Sequence, residues 1–539
     1  MFGLAFALRL LFWAATPDRA WPGSAWYDGD ARGWITWAGA LRDGAEYEQG
    51  LPFRPPGAAY LIVWLAGGEP RDAIGRLKVA WCALGALAAA LFAESARRGF
   101  GAGVGLAVGL ACAGSTGLMI LSTSLNNETP YLVLVAATLV TWGEVRDGRG
   151  GWRLGVWGAL HGLACLVRVE HVLVFAGMLA LAAARWRSTT TGRGVIARLF
   201  VVAGASAVTL APWHVFAWEA IRRFNDEPRP LDVVARAKRA QTERALAGAS
   251  WSDGARTEVG AMPAAVRDTV GFFVAATALT RGIGTIEPGL PAAILDEAFG
   301  YVPRPLPAHP FVSLYGPLNF HLGNHALASG GFDRSPLDRP PRLAGGAERF
   351  PRMMLVGLPP PELALTYPPH LRAVADGYRL GFAWIRADPG DFARLATRKL
   401  AIAWSGAALG LGGYDLPLGF EGVRRSVDLA VPEGSPPTAW RLAAAVLALV
   451  GLGVGLANRR TPLAPWLAYG GTKVVVTIAF FGYARQGASV VPVLALLGAL
   501  AVAPLVRRVG GRARVVPIAV VASVLLVVAE AGDGSAHRR

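Results

Sequence analysis

The chain has 539 residues, is 53% hydrophobic with a mean hydropathy of +0.39, and carries only 17% charged residues, against roughly 25% in ordinary soluble domains. That composition is foreign to a soluble domain and points to a membrane protein. The net charge of +16 comes from arginines clustered in short segments between apolar runs, where they set membrane orientation, so no nucleic-acid partner is expected.

Apolar runs near the helical spanning length of about 20 residues predict helices at 1–16, 74–94, 100–120, 129–144, 153–167, 170–185, 195–217, 439–457, 463–482, 487–505 and 513–530. Only helices or closed barrels satisfy their backbone hydrogen bonds in lipid, and long unalternated Ala/Leu/Val/Gly runs exclude the barrel. The first run, "MFGLAFALRLLFWAA", lacks the basic start and cleavage site of a signal peptide and reads as a retained helix. With eleven crossings and a cytoplasmic N-terminus, every basic loop, from Arg97/Arg98 to Arg507/Arg508, falls on the cytoplasmic side. Lysine is scarce (Lys78, Lys238, Lys399 and Lys473) beside abundant Arg, Ala and Gly, which suits a GC-rich bacterial genome and so a bacterial inner membrane. Cys82, Cys112 and Cys165 all sit inside apolar runs and read as small buried hydrophobes.

The expected fold is an all-α polytopic membrane protein in three parts: 1–217 with a first external loop at 17–73, a large external segment at 218–438, and C-terminal spans at 439–539. In the first loop, "WYDGDARGW" places Asp28 and Asp30 where the first helix leaves the membrane. Either Asp30 caps the helix "ARGWITWAGALRDG", or the pair carries chemistry. That helix puts Trp34 and Trp37 on one face, at headgroup depth of an interfacial helix. "LPFRPPG" follows, with Arg54 before a proline break. The external segment has helical periodicity in "DVVARAKRAQTERALAG" and "DGYRLGFAWIRADPGDFARLATRKL", and "LAIAWSGAALGLGG" reads as a re-entrant or interfacial helix. His321 and His325 have the i, i+4 spacing of two ligands on one helix face, but the sequence between them contains no acid and includes Gly323, so zinc is disfavoured.

The order Asp30, aromatic Trp34, Ala38, Gly44 and "FRPPG" resembles the first external loop of GT-C membrane glycosyltransferases, above all bacterial protein O-mannosyltransferase and aminoarabinose-transferase relatives (glycosyltransferase family 39-like). Further stretches are similar in the same order: "STSLNNETPYLVL", "GLACLVRVEHVL", "APWHVFAWEAIRRFN", "YGPLNFHLGNHALASGGF", "AWIRADPGDFARLATRKLAIAW" and "GYARQGASVVPVLALL". The last departs from the family by lacking a second arginine and the following proline.

The resemblance implies a polyprenyl-phosphate sugar donor, an external active site and inversion at the anomeric carbon, with a cell-envelope hydroxyl as acceptor. Asp30 is then the base, with Asp28 as fallback; Glu128 orients the acceptor or, with Asp30, holds a divalent cation (Mg, Mn or Zn). Arg54, Arg168 and Arg485 are the phosphate contacts, and Asn319, Gly323 and Asn324 a substrate loop. Plain alternatives stand beside these: Arg54 snorkels, Arg168 pairs with Glu170, and Glu128 caps the helix that follows it. A transporter or flippase, or a scaffold without chemistry, are the competing classes.

Overall fold

The computed structural model describes residues 1–15, 30–148, 151–226, 247–299, 304–308, 310–332, 337, 363, 365, 368–409, 439–457 and 462–509. Asp28 and the 513–530 helix of the sequence reading lie outside them, as does "DVVARAKRAQTERALAG" except for its last two residues.

Of the described residues, 79% are helical. The membrane body begins with α1 (Phe2–Ala15), followed by two short helices of the first loop, α2 (Asp30–Asp43) and α3 (Gly57–Ala66). Then come α4 (Ile74–Phe100), α5 (Ala102–Gly114), α6 (Thr116–Thr123), α7 (Glu128–Arg146), α8 (Gly151–Val167), α9 (His171–Arg187) and α10 (Gly192–Asp226). The late segment contributes α11 (Asp253–Gly260), α12 (Ala264–Thr280), α13 (Leu290–Phe299), α14 (Tyr315–Gly323), α15 (Pro368–Ala375), α16 (Gly377–Ala387) and α17 (Pro389–Leu409). A two-residue parallel ladder, β1 (Ser250–Trp251) on β2 (Thr285–Ile286), is the sheet content among the described residues. α18 (Ala439–Ala457), α19 (Ala464–Ala479), α20 (Ala484–Ala488) and α21 (Val491–Val509) close the described chain.

The all-α expectation holds, while the candidate spans among the described residues are fewer than the eleven expected. Among the described residues two helices, α4 and α10, are long and apolar enough to cross a membrane, and α5 with α6 makes a third only if the pair, bent by 56°, is one span. Length contributes: at 1.5 Å per residue, a 17-residue helix such as α8 or α9 covers about 26 Å, the low end of what spans a hydrocarbon layer of roughly 30 Å. The expected 100–120 helix is interrupted because Ser115 caps α6, its side chain accepting from Leu118 N. At that break the buried Arg9 of α1 donates to Ala5 O (3.0 Å), Cys112 O (3.2 Å) and Ser122 Oγ (3.1 Å). Of these acceptors, Cys112 O belongs to the last turn of α5 and Ser122 Oγ to α6, so Arg9 ties the two helices together across the bend. Conversely, α10 runs through Pro212 for 35 residues, roughly 50 Å at the helical rise, and carries Ala220, Ile221 and Phe224 beyond the membrane body into a second core.

Three cores result. One fills the helical body and includes Trp157, Trp186 and Trp466. The second joins the late segment to Leu51 and Phe53 of the first loop. The third lies under α2 and α3 and contains Trp34, Trp37, Trp81 and Trp213. Trp34 and Trp37 are therefore core residues rather than headgroup anchors: Trp37 meets Trp213 at 6.3 Å between ring centroids, and Trp213 Nε1 donates to Val312 O at 2.7 Å. Of "LAIAWSGAALGLGG", expected as a re-entrant or interfacial helix, residues 400–409 are the continuous second half of α17, and the last four lie outside the described residues. The three cysteines are buried and unbridged, as their apolar settings suggested.

Candidate functional site

The chain places Asp30 at the first position of α2, where the positive end of the helix favours a carboxylate. Its side chain serves two arginines from distant parts of the sequence. Arg54 Nη1 donates to Oδ1 at 3.0 Å and Arg485 Nη1 to Oδ2 at 2.5 Å. Gly33, one turn along α2, leaves room for this: a Cβ there would lie 3.6 Å from the Arg54 guanidinium carbon and 3.3 Å from Tyr47 Oη. Gly57, just after the Pro-Pro break, packs so closely on the end of α8 that a Cβ would lie 2.8 Å from Val167 Cγ2 and 2.9 Å from Leu166 O. That approach brings the Arg54 loop beside the turn carrying Arg168.

From these anchors a line of eight alternating charges runs across the end of the helical body. Glu48 accepts from Arg54 Nε at 2.9 Å, and Arg54 and Arg485 flank Asp30. Arg485 Nε lies 3.7 Å from Glu128, and Glu128 accepts from Arg168 Nη1 at 2.5 Å. Arg168 Nε donates to Glu170, which accepts from Lys473 at 3.0 Å. Aromatic faces hold the cations: Arg54 stands over Trp34 (5.4 Å) and Tyr315 (5.2 Å), Arg485 over Tyr483 (4.7 Å), and Lys473 over Tyr131 (4.8 Å). The Tyr315 hydroxyl donates to Glu48 at 3.0 Å, so the late segment reaches into the first loop. That junction is fixed by Leu314 N donating to Pro52 O at 2.8 Å and by the Ser313 hydroxyl donating to Phe53 O.

Two backbone positions along this line are costly. Glu48 (φ 49°) and Leu125 (φ 54°) are the described non-glycine residues at positive φ, a conformation that costs about 1–3 kcal/mol and persists only where the surroundings hold it. Glu48 is held by Arg54 and Tyr315. Leu125 is fully buried and makes the turn that aims Asn126, Asn127 and Glu128 at the line.

Burial varies along the line and separates the acids. Glu128 is fully buried, with its Oε2 free of any hydrogen bond among the described residues, whereas the Asp30 side chain is 31% exposed, the most of the eight. Burial alone pushes the Asp30 carboxyl up, but Arg485 and Arg54 outweigh it and hold it well below the usual carboxylate range. Burial likewise lowers Arg54, but Tyr315, Glu48 and Asp30 outweigh it and raise it well above its ordinary value, so it stays charged at any working pH.

Of the residues singled out in the sequence, Asp30, Glu128, Arg54, Arg168 and Arg485 meet in this one line. The cap reading of Asp30 gives way to ion pairing, and the snorkelling reading of Arg54 to a fixed fork between two acids. The pairing of Arg168 with Glu170 is present too, alongside its bond to Glu128. Asn319, Gly323 and Asn324 are elsewhere in role. Asn324 Nδ2 donates to Phe320 O (2.8 Å) and Ala479 O (2.7 Å), and its Oδ1 accepts from Lys399 (2.9 Å), which also reaches Ile478 O. A Cβ on Gly323 would lie 2.2 Å from Phe480 O. These two residues clamp α14 to the end of α19, so the substrate-loop expectation is replaced, for Gly323 and Asn324, by a packing role. Asn319 is half-buried on α14.

Sequence reasoning missed Glu48, Tyr315 and Lys473. Lys473 had a signal, since a lone lysine inside an apolar run is costly in lipid; Glu48, one of several loop acids, had none. The residues suit a divalent cation poorly: both Asp30 oxygens accept from arginines, Glu128 is shared by two more guanidinium contacts, and no group of three His, Cys, Asp or Glu side chains placed to hold a metal occurs among the described residues. His321, which burial, then His325 and Arg372 push down to about 4, stays neutral at pH 7.

No family model, curated protein or solved structure matches the chain.

Proposed function

We propose that this chain is an inverting, GT-C-type glycosyltransferase of the membrane, moving a sugar from a polyprenyl-phosphate donor to a hydroxyl of a cell-envelope acceptor on the extracytoplasmic face. The observation that carries the reading is Asp30: a partly exposed carboxylate between two arginines, at the surface end of a helical body, with the late segment closing over it through Tyr315. A base and a pair of anion-binding forks are what this transfer needs side by side. The acceptor hydroxyl oxygen attacks the anomeric carbon, the bond to the phosphate oxygen breaks, and its electron pair leaves with the polyprenyl phosphate. Asp30 takes the hydroxyl proton, and arginine donors stabilise the charge that grows on the departing phosphate. The deeper Arg168, committed to Asn127, Glu128 and Glu170, positions Glu128 rather than touching phosphate. No step runs through a cation, because the acids that would hold one are paired with arginine.

A second reading, a transporter or flippase, draws on the buried Arg9 at the broken α5–α6 pair, since intramembrane charges and interrupted helices mark transport paths. Both are tested by supplying purified protein in lipid with radiolabelled polyprenyl-phosphate sugars and a crude envelope acceptor fraction. Label moving to the acceptor, and lost with Asp30→Asn, supports transfer. Label crossing sealed vesicles unchanged supports transport and removes the enzymatic reading.

A further inference from the structure

The eight charges pair one for one. Four acids and four bases leave the line without net charge, so an anion arriving as substrate finds no surplus positive charge within these eight residues. Coulomb attraction at a few ångströms is large in a partly dry site, and an added phosphate beside Asp30 and Glu128 would meet two carboxylates at close range. One of them has to leave. Glu128 is fully buried on the first turn of α7 and tied to Arg168, and Glu48 and Glu170 are each held from two sides. Asp30 alone combines greater exposure with a place at the very start of a short helix. Its two oxygens each take one guanidinium donor, Oδ1 from Arg54 and Oδ2 from Arg485. The donor's phosphodiester offers the same arrangement of two acceptor oxygens on one centre, with the same single negative charge, and arginine forks match it well.

We propose that Arg54 and Arg485 form a clamp for the donor's phosphate whose resting occupant is the Asp30 carboxylate, and that the arriving phosphate displaces Asp30 and so releases it to act as the base. This deepens the glycosyltransferase reading and rests on it. A carboxylate gripped by two arginines is a poor proton acceptor, because its charge is already stabilised; released, it recovers basicity at the moment the leaving group is in place. The consequence is an order: donor first, acceptor second, with the base silent until the donor is bound. It also forbids wasteful deprotonation of water in the empty site. Trp34, Tyr315 and Tyr483, stacked on the two arginines, keep both forks in place during the exchange, so the side chain that moves is the aspartate.

The test uses the full chain in nanodiscs and reads carbodiimide labelling of Asp30 by peptide mass spectrometry, with undecaprenyl phosphate, undecaprenol or inorganic phosphate added and lipid binding followed in parallel by native mass spectrometry. The expected result is several-fold stronger labelling of Asp30 with undecaprenyl phosphate than with undecaprenol. Binding of undecaprenyl phosphate with Asp30 labelling unchanged or reduced overturns the displacement and leaves the glycosyltransferase reading standing; no binding of it overturns both. The same rise with inorganic phosphate at equal concentration sustains the displacement but overturns a lipid as the source of the phosphate. A second measurement does not depend on labelling: Asp30→Asn, which keeps the shape and removes the competing charge, binds undecaprenyl phosphate about tenfold tighter than wild type, the scale of one like charge removed beside a ligand. Unchanged or weaker binding by a folded Asp30→Asn protein contradicts the clamp.

Discussion

The two halves of the charge line use the same residue types at similar distances but sit in different surroundings. In the inner half, Glu128, Arg168, Glu170 and Lys473 have side chains 0 to 12% exposed; in the outer half, Glu48, Arg54, Asp30 and Arg485 range from 12 to 31%. Dry ion pairs resist rearrangement, because removing one partner strands the other without water. Wetter pairs exchange partners at little cost. The inner half therefore fixes where α7, α8, α9 and α19 end relative to one another, while the outer half has the freedom that binding and proton transfer need. The link between them is the longest contact of the line, 3.7 Å from Arg485 to Glu128.

The comparison breaks most directly at Glu170. Glu170→Gln leaves Arg168 and Lys473 without their shared acid and is expected to lower stability by about 3–5 kcal/mol, read by equilibrium unfolding in mixed micelles. A loss below about 1 kcal/mol, the scale of an exposed pair, would erase the distinction between the halves. Asp30→Asn is expected to do the reverse: turnover falls by about 10²–10⁴, while unfolding shifts by less than it does in Glu170→Gln, because the Asp30 side chain is the most exposed of the eight. A folded Asp30→Asn protein with near wild-type turnover removes Asp30 from the chemistry.

Smaller changes sharpen the picture. Gly57→Leu drives a side chain into Val167 and Leu166 O, where even the Cβ lies within 3 Å. The expected cost is about 1–3 kcal/mol together with weaker phosphate binding, because the Arg54 loop is pushed off α8. Tyr315→Phe deletes the hydroxyl on Glu48 and should cost about 0.5–1.5 kcal/mol, with donor affinity falling while the inner half is untouched. The smallest effect is in pH. Asp30 is depressed in the fold, so its contribution is fully present above the ordinary carboxylate value of about 4 and is lost only as pH falls through its lower folded value. The difference in unfolding midpoint between wild type and Asp30→Asn should stay flat from about pH 8 to 5 and shrink toward zero only below about 4. A difference that already changes between 7 and 5 would show that the arginines do not hold Asp30 charged.

Legibility followed the same division. Asp30, Arg54, Arg168, Arg485 and Glu128 were singled out because their stretches resemble a family's loops and because charge is rare here and stands out at the ends of apolar runs. Tyr315 and Glu48 were not, since neither is unusual for a loop or a helix of the late segment and their value comes from meeting across 267 residues. Asn324 misled for a related reason: an asparagine beside glycine suits a sugar-binding loop, but the carbonyls at the end of α19 and Lys399 take up its side chain. The span count misled because hydropathy registers apolar runs and not where a helix stops; Ser115 ends one run early, and α10 passes through Pro212.

The sequence by itself determined the helical class, the apolar runs long enough to cross a membrane and the few places where charge had to be accommodated, because the cost of burying charge and open backbone is set residue by residue. Only the tertiary structure decided which acid faces which arginine, how dry each pair is, and that Asp30 sits between two forks, because those depend on close approaches such as Gly57 on α8 and on contacts spanning nearly the whole chain, from Asp30 to Arg485.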